Sequence, residues 1–356
     1  MKFKPGLRLL AFIFVAVLSG FRLSAQDNIH TDKIDRYLEN IEKNNLDVGS
    51  ISVYKEGKEV YYRNFGKIPG QHFNKNSVYQ VGSITKLFTS VLIFKLIESN
   101  KLSPDTRLSE FFPTIQYSDK ITIRNLLEHS SGLNNYVKKS GKTVWLKEPR
   151  TDAELFAELK SQKPLFNPGD SVSYSNSGYY LLGKIIEHKY KDNYGNVLHK
   201  LITKPNKLLF TNSALQNPQN VSKSYKFSEQ GWVENPDFYF KNIIGVGDIS
   251  SNTSDLNKFI NLLFEGRILE EKSLEVMKPV IGKETYGRGL MNFNFHGINF
   301  YGNTGGTYGT NTILVYEPKS KISISLIING EQYERDLFIK DVVDIIFNNH
   351  LSIHKS

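Results

Sequence analysis

The stretch from Ile84 to Ile97 is apolar on nearly every side when it is drawn as a helix. A surface helix keeps a polar face for solvent, so a helix without such a face has to be enclosed by other elements. The chain must therefore fold around this segment. Its 356 residues suffice for one large domain or two, at roughly 150 residues per domain.

The two ends of the chain share one pattern, a predicted β-hairpin accompanied by a helix. The predicted elements are a helix over Asp32–Lys43, strands over Gly49–Lys55, Glu59–Phe65, Thr312–Tyr316 and Ile322–Ile328, and a helix over Asp336–Phe347. Because both ends have the same composition, we predict one antiparallel sheet built from both of them and covered by the terminal helices.

The middle of the chain has a mainly helical pattern. It adds predicted helices over Ile123–His129, Asp152–Gln162 and Ser177–Lys189, and predicted long loops over Thr211–Asp237. We therefore predict an α/β (α+β) fold for residues 26–356. In it, 26–82 and 240–356 form the α/β part, and 83–239 form an inserted, mainly helical part.

The first 25 residues have the composition of a cleavable signal peptide. A basic front precedes the apolar run Leu9–Leu18, and small residues reach Ala25 just before Gln26. The apolar run is shorter than the ~20 residues that span a bilayer. We predict cleavage, export to the periplasm or the exterior, and no integral membrane span afterwards. An uncleaved anchor is the alternative.

Charge and cysteine content exclude several classes of protein. The chain has no cysteine, which removes disulfide scaffolds, thiol catalysis and cysteine-based zinc modules. Loss of residues 1–25 takes away four basic residues and no acidic one, so the formal net charge falls from +9 to +5. A nucleic-acid binder would concentrate its charge in a stripe, so this mild basicity predicts no nucleic-acid partner.

Ser83-Ile84-Thr85-Lys86 stands where the apolar helix begins. Residues three apart face the same side of a helix, so the Lys86 amine can reach the Ser83 hydroxyl and take its proton. The helix dipole and free backbone N–H groups would stabilise negative charge there, and burial would lower the pKa of Lys86. A second copy, Ser52-Val53-Tyr54-Lys55, lies on a predicted strand, where positions three apart point to opposite faces.

Two further segments contain groups suited to catalysis. In Tyr174-Ser175-Asn176, a phenol near a lysine can carry a proton and an amide can hold both the lysine and a substrate carbonyl. An ordinary half-buried tyrosine is the alternative. In the glycine-rich run 301–307, a backbone N–H can complete an oxyanion hole, whereas a simple β-turn or bulge is the alternative.

Five blocks, in this order along the chain, resemble the penicillin-recognising serine hydrolases. The branch is the one with class C β-lactamases, D-alanyl-D-alanine carboxypeptidases, D-aminopeptidases and related esterases. The blocks are Tyr79–Phe88, Lys101–Asp105, Ile121–Leu133, Pro168–Tyr179 and Gly245–Ser251. The resemblance covers nearly all of the chain after residue 25 and implies a β-lactamase/transpeptidase-like fold.

The resemblance also implies roles for individual residues. Ser83 is implied as the nucleophile, Lys86 and Tyr174 as the base system, and Asn176 as a polar positioner. The N–H groups of Ser83 and Gly306 are implied as the oxyanion hole, and His129 is implied to be structural.

Asn303-Thr304-Gly305 departs from the family pattern, which has Lys or His at its first position. That cation assists the tyrosine and attracts the carboxylate of β-lactams or of a terminal D-alanine. An amide brings no charge, so we expect weak recognition of anionic substrates. The lysine-rich stretch from Lys138 to Arg150 either restores a positive field beside the site or is a solvated loop.

We therefore predict an exported serine hydrolase that forms an acyl-enzyme at Ser83 with an ester or amide. A peptidase or esterase fits better than an efficient β-lactamase, and the substrate is a small or peptidic molecule, for which the cell wall is one source. The alternative is an acylatable or inactive penicillin-binding sensor without efficient turnover. We expect a monomer and no cofactor. His350 and His354 have the spacing of metal ligands but lack a third ligand, so we predict no metal site.

Overall fold

A computed structural model describes residues 29–139, 142–143, 147–280, 286–330 and 332–347. The predicted signal peptide and His350 to His354 lie outside these residues. The described helices are α1 (Thr31–Lys43), α2 (Thr85–Glu98), α3 (Ile123–Leu127), α4 (Asp152–Ser161), α5 (Asn176–Tyr190), α6 (Tyr194–Leu198), α7 (Thr253–Phe264), α8 (Glu271–Met277) and α9 (Arg335–Ile346). The described strands are β1 (Gly49–Lys55), β2 (Lys58–Phe65), β3 (Tyr79–Gln80), β4 (Lys138–Lys139), β5 (Lys142–Thr143), β6 (Asn212–Ser213), β7 (Tyr225–Ser228), β8 (Gly231–Glu234), β9 (Ile249–Ser251), β10 (Met291–Phe295), β11 (Ile298–Gly306), β12 (Asn311–Glu317) and β13 (Ile322–Ile328).

The main sheet has six antiparallel strands in the order β10-β11-β12-β13-β1-β2. Strand β1 pairs with β13, with Gly49 opposite Ile328, so the two ends of the chain meet in the centre of the sheet. The prediction of one antiparallel sheet built from both ends is therefore confirmed.

The two faces of this sheet differ in chemistry because side chains alternate along each strand. On one face, Ile51 and Val53 of β1 join a hydrophobic cluster with apolar residues of α1 and α9. On the other face, Ser52 lies against α7, where the Asn257 side chain donates to the Ser52 carbonyl at 2.7 Å. The terminal helices thus cover an apolar face, while α7 meets a face of small polar side chains.

Helix α2 lies at the centre of the larger hydrophobic cluster. Eleven of its fourteen residues are buried, and Phe88 stacks on Phe259 of α7 with ring centroids 3.9 Å apart. The predicted enclosure of the apolar stretch is confirmed. Since α2 cannot shift without disturbing this cluster, the residues at its N-terminal end are held in fixed positions.

Two local predictions were wrong in detail. The helix predicted over Ile123–His129 ends at Leu127, and His129 has a φ of +59°, which no α-helix continues through. The segment predicted as long loops contains strand β6 and the hairpin β7–β8. The division of residues 26–356 into two parts stays a prediction. No helix within the described residues is both long and apolar enough to cross a bilayer.

Candidate active site

Ser83 lies in a single 3₁₀ turn, Gly82–Ile84, that leads directly into α2. Gly82 has a φ of +54°, a conformation that glycine adopts without strain. A Cβ added at Gly82 would come within 2.8 Å of the Gly306 backbone nitrogen, so glycine also permits close contact with the end of β11. The turn thus holds the Ser83 hydroxyl at the N-terminal end of α2, beside strand β11.

Lys86 is the second residue of α2 and is 2% exposed. Its Nζ donates to Ser83 Oγ at 2.9 Å and to the carbonyl oxygen of Val246 at 2.9 Å. Burial lowers the pKa of Lys86 well below its ordinary value, because removal from water disfavours the charged ammonium form. The site therefore contains a lysine that can be neutral and can accept the Ser83 proton.

Tyr174 precedes α5 and reaches the same oxygen atom from another direction. Its hydroxyl donates to Ser83 Oγ at 2.7 Å, and the Lys86 Nζ lies 5.0 Å from its ring centroid. Burial raises the pKa of Tyr174 above its ordinary value, so the resting phenol is neutral. This favours proton donation by Tyr174 over a resting phenolate, and leaves Lys86 as the stronger base of the two.

The structure gives Asn176 a different setting from the predicted one. Asn176 is the first residue of α5 and is buried, and its Oδ1 has no hydrogen-bond partner among the described residues. Among the described residues, the Lys86 Nζ donates to Ser83 Oγ and to the Val246 carbonyl, not to Asn176. The predicted contact between Asn176 and the lysine is therefore not observed.

The carbonyl of Val246 was not identified from the sequence, although its block was. The loop that carries it is held by Asp248, whose carboxylate accepts from the Gly245 N–H at 2.7 Å and from the Ser213 hydroxyl. Burial raises the pKa of Asp248 to about 6. The carboxylate thus fixes the loop that presents a backbone oxygen to Lys86.

The glycine-rich end of β11 lies directly against the nucleophile turn. A Cβ at Gly305 would come within 2.0 Å of the Val81 carbonyl and 3.0 Å of the Ser83 nitrogen. Thr312 on the neighbouring strand donates to that Val81 carbonyl at 3.0 Å. The backbone of Gly305 and Gly306 therefore packs closely against the turn that carries Ser83.

Asn303 lines a small cavity together with Lys86 and Tyr174, but its amide is already bound at both ends. The Nδ2 donates to the Gly289 carbonyl at 2.8 Å, and the Oδ1 accepts from the Thr304 N–H at 2.7 Å. Asn303 is 8% exposed, so it is a buried and uncharged residue whose amide links β11 to the backbone at Gly289.

His129 and Tyr286 complete the surroundings of Tyr174. The His129 ring lies 4.6 Å from the Tyr174 ring centroid and 5.3 Å from that of Tyr286. Burial, assisted by the nearby Lys86 charge, lowers the pKa of His129 to about 3, so the imidazole is neutral. Tyr286 had no sequence signal, because it belongs to none of the five blocks and reaches the site only through the fold.

A cleft of about 410 Å³ opens next to the glycine-rich edge and contains Gln80 and Thr307. Its wall includes Phe238, Phe240, Tyr308 and Lys241. Lys147, from the predicted lysine-rich stretch, places its Nζ 5.7 Å from the centre of the Tyr308 ring. Part of that stretch therefore does border the cleft.

The described residues offer no site for a metal ion. Among the described residues, no group of three or more His, Asp or Glu side chains is arranged to hold a metal ion.

Fold and site together define a serine hydrolase in which a lysine amine and a tyrosine hydroxyl both contact Ser83 Oγ. The model of the beta-lactamase family matches residues 34–345, and the chain belongs to that family. Its homologues are hydrolases of amides and esters.

Similar proteins agree with this assignment. The chain is 24% identical over 320 residues to teichoic acid D-alanine hydrolase of Staphylococcus aureus (strain MRSA252), covering 85% of this chain and 75% of that protein. It superposes on D-amino acid amidase from Ochrobactrum anthropi SV3, complexed with D-phenylalanine, with a TM-score of 0.79 at 21% identity, over 89% of this chain and 100% of that one. The octameric penicillin-binding protein homologue from Pyrococcus abyssi gives 0.76 at 26% identity, over 90% and 78%.

Proposed function

We propose that this protein is an exported hydrolase that cleaves a neutral ester or amide through an acyl-enzyme on Ser83. The observation that carries the proposal is that two side chains both reach the oxygen atom of Ser83. Lys86 Nζ and the Tyr174 hydroxyl lie 2.9 Å and 2.7 Å from Ser83 Oγ, and the lysine is buried with a lowered pKa.

The proposed reaction begins when Ser83 Oγ attacks the substrate carbonyl carbon and its proton passes to the neutral amine of Lys86. The resulting oxyanion is stabilised by the N–H groups of Ser83 and Gly306. The bond to the leaving alcohol or amine then breaks as Tyr174 gives that group a proton, and Lys86 returns a proton to the Tyr174 oxygen. Water attacks the acyl-enzyme in the same manner, which releases the acid and restores Ser83.

The substrate class follows from the surroundings of Ser83. Asn303 supplies no charge and is engaged with its own backbone, so a substrate carboxylate has no cation at that position. The aromatic wall of the neighbouring cleft favours a substrate with an apolar or aromatic part that extends from Ser83 past Thr307. The names of the two hydrolase relatives, acting on D-amino acid amides and on D-alanine of teichoic acid, support a small acyl substrate of cell-wall type.

Export and a monomeric state are further parts of this proposal. Export rests on the composition of residues 1–25 and on cell-wall enzymes among the relatives. N-terminal sequencing of the cell-derived protein tests it: Gln26 at the amino end is expected, and Met1 there would contradict cleavage. The similar protein from Pyrococcus abyssi is octameric, so size-exclusion chromatography with light scattering decides the oligomeric state.

Intact-mass spectrometry with three probes tests the catalytic proposal. A neutral aryl ester, a fluorophosphonate and a penicillin are each incubated with the protein. We expect turnover of the ester and a stable adduct with the fluorophosphonate. A stable acyl adduct with the ester, without product release, would instead favour the acylatable sensor, and no adduct with any probe would favour a non-catalytic protein.

A further inference from the structure

We infer that His129 is a positioning residue that holds the Tyr174 hydroxyl on Ser83. This inference rests on the proposed function, because it assigns a task only if Tyr174 transfers a proton. The role implied by the family resemblance was merely structural, and nothing in that resemblance connects His129 to Tyr174.

The first observation is that His129 binds the backbone on both sides of Tyr174. The carbonyl oxygen of His129 accepts from the Ser173 N–H at 2.9 Å, and its Nδ1 accepts from the Ser175 N–H at 3.2 Å. A residue whose two neighbours are both fixed has little freedom in its own φ and ψ. His129 therefore determines the direction in which Tyr174 leaves the main chain.

The second observation is the backbone conformation of His129. Its φ of +59° lies in the left-handed region, which histidine, asparagine and aspartate tolerate better than most residues. In this conformation one residue presents its carbonyl and its ring nitrogen to the same neighbouring segment. A left-handed residue here ends α3 and at the same time forms both contacts with 173–175.

The third observation fixes the tautomer of the ring. Nδ1 accepts a hydrogen bond, so it carries no proton, and the lowered pKa keeps the ring neutral. The ring is 5% exposed and packs against Tyr174 and Tyr179, with centroids 4.6 Å and 5.1 Å away. His129 thus holds the segment around Tyr174 in two ways, through the packing of its ring and through its acceptor atom, and each can be removed by a different substitution.

The surrounding segment is anchored independently of the ring. Glu128 pairs with Arg288 at 2.6 Å, and the Ser130 carbonyl accepts from the Gly169 N–H at 2.8 Å. Removal of the His129 acceptor should therefore leave the segment in place and loosen only residues 173–175. A displacement of about 1 Å in a catalytic group can cost ~10²-fold in rate.

Two variants separate the acceptor from the ring. His129→Asn keeps an acceptor at the position of Nδ1 and tolerates the left-handed backbone, but it loses the ring. His129→Phe keeps a ring and loses the acceptor. We expect His129→Asn to retain kcat within about fivefold of the wild type, and His129→Phe to lose ~10–100-fold in kcat with little change in KM.

A double-mutant cycle with Tyr174→Phe provides the readout that a merely structural role would not move. If His129 acts through the Tyr174 hydroxyl, the loss caused by His129→Phe should disappear in the Tyr174→Phe background, because the group being positioned is already absent. Thermal unfolding of each variant checks that the fold is intact. If His129→Phe does not fold, the Asn variant decides alone, since a tenfold or larger loss of kcat in a stable His129→Asn protein overturns the inference.

Other outcomes are equally decisive. Full activity of folded His129→Phe, or an undiminished loss in the Tyr174→Phe background, would show that His129 does not act through Tyr174. Failure of the proposed function looks different, because Ser83→Ala and Tyr174→Phe would then retain the wild-type rate. The two failures are therefore distinguishable in one set of assays.

Discussion

The chain contains the spacing Ser-x-x-Lys twice, and the two copies differ in whether the lysine reaches the serine. Ser52 and Lys55 lie on strand β1, where the Ser52 hydroxyl donates to Glu59 at 2.8 Å and belongs to the polar face beneath α7. Ser83 and Lys86 lie at the start of α2, where Nζ meets Oγ at 2.9 Å. Three residues span nearly one turn of a helix but opposite faces of a strand, so equal spacing gives unequal geometry.

The difference also lies in the environment of the lysine. Lys86 is buried with a lowered pKa, whereas Lys55 is partly exposed. A short motif thus acquires chemistry only through the element that carries it and the packing around that element. The second copy provides matched controls for each test of the first.

The largest expected effect is that of Ser83→Ala. It deletes the attacking oxygen and little volume, so turnover should fall by roughly 10⁴-fold or more with an unchanged thermal midpoint. Ester hydrolysis and thermal unfolding are measured on Ser83→Ala and Ser52→Ala. Comparable losses in both variants, or undiminished activity in Ser83→Ala, would break the comparison.

Removal of the Lys86 amine should be nearly as damaging. When two groups act as a unit, removal of either one lowers the turnover rate by about the same factor. The rate of Lys86→Met should therefore lie within about tenfold of that of Ser83→Ala, whereas Lys55→Met should resemble the wild type. Only the neutral amine accepts a proton, so the wild-type rate should rise with pH through a midpoint well below 10.5. A midpoint at the ordinary lysine value would mean that Lys86 is not the base.

Tyr174→Phe keeps the ring and removes the proton carrier, so we expect a ~10²–10⁴-fold lower kcat. Tyr179→Phe is the matched control, because that hydroxyl bonds to Ser90 and not to Ser83. Steady-state kinetics on both variants test the assignment. A loss smaller than about threefold in Tyr174→Phe would make Tyr174 a packing residue.

The smallest expected effect concerns charge at Asn303. A charge-assisted hydrogen bond contributes roughly 1.5–3 kcal/mol, which corresponds to ~10–100-fold in selectivity. The Asn303 amide is hydrogen-bonded to the Gly289 carbonyl and the Thr304 N–H. We therefore expect Asn303→Lys to raise the selectivity for carboxylate-bearing substrates only by about the lower limit of that range, ~10-fold. Asn294→Lys adds the same charge on the exposed side of β10 and serves as control.

The ratio of kcat/KM for a cephalosporin and a neutral acetyl ester is the measurement. Efficient cephalosporin cleavage by the wild type, unchanged in Asn303→Lys, would show that another group such as Lys147 provides the cation. EDTA is expected to leave the activity of the wild type unchanged.

The sequence predicts the sheet and the enclosed helix well because both depend on apolar periodicity. Strands β7 and β8 were missed, since each has only four residues, lies within a polar stretch of the chain and pairs mainly with the other. The stop of α3 at Leu127 was missed because it depends on the left-handed conformation of His129. Sequence spacing cannot reveal backbone partners, so the Val246 carbonyl beside Lys86 was also missed.

The account depends most directly on which serine becomes acylated. Protein labelled with a fluorophosphonate is digested, and the modified residue is located by tandem mass spectrometry. If Ser83 is the nucleophile, a single adduct forms on Ser83; it is absent from Ser83→Ala and retained in Ser52→Ala. An adduct on Ser52 or any other residue, or full labelling of Ser83→Ala, would contradict it.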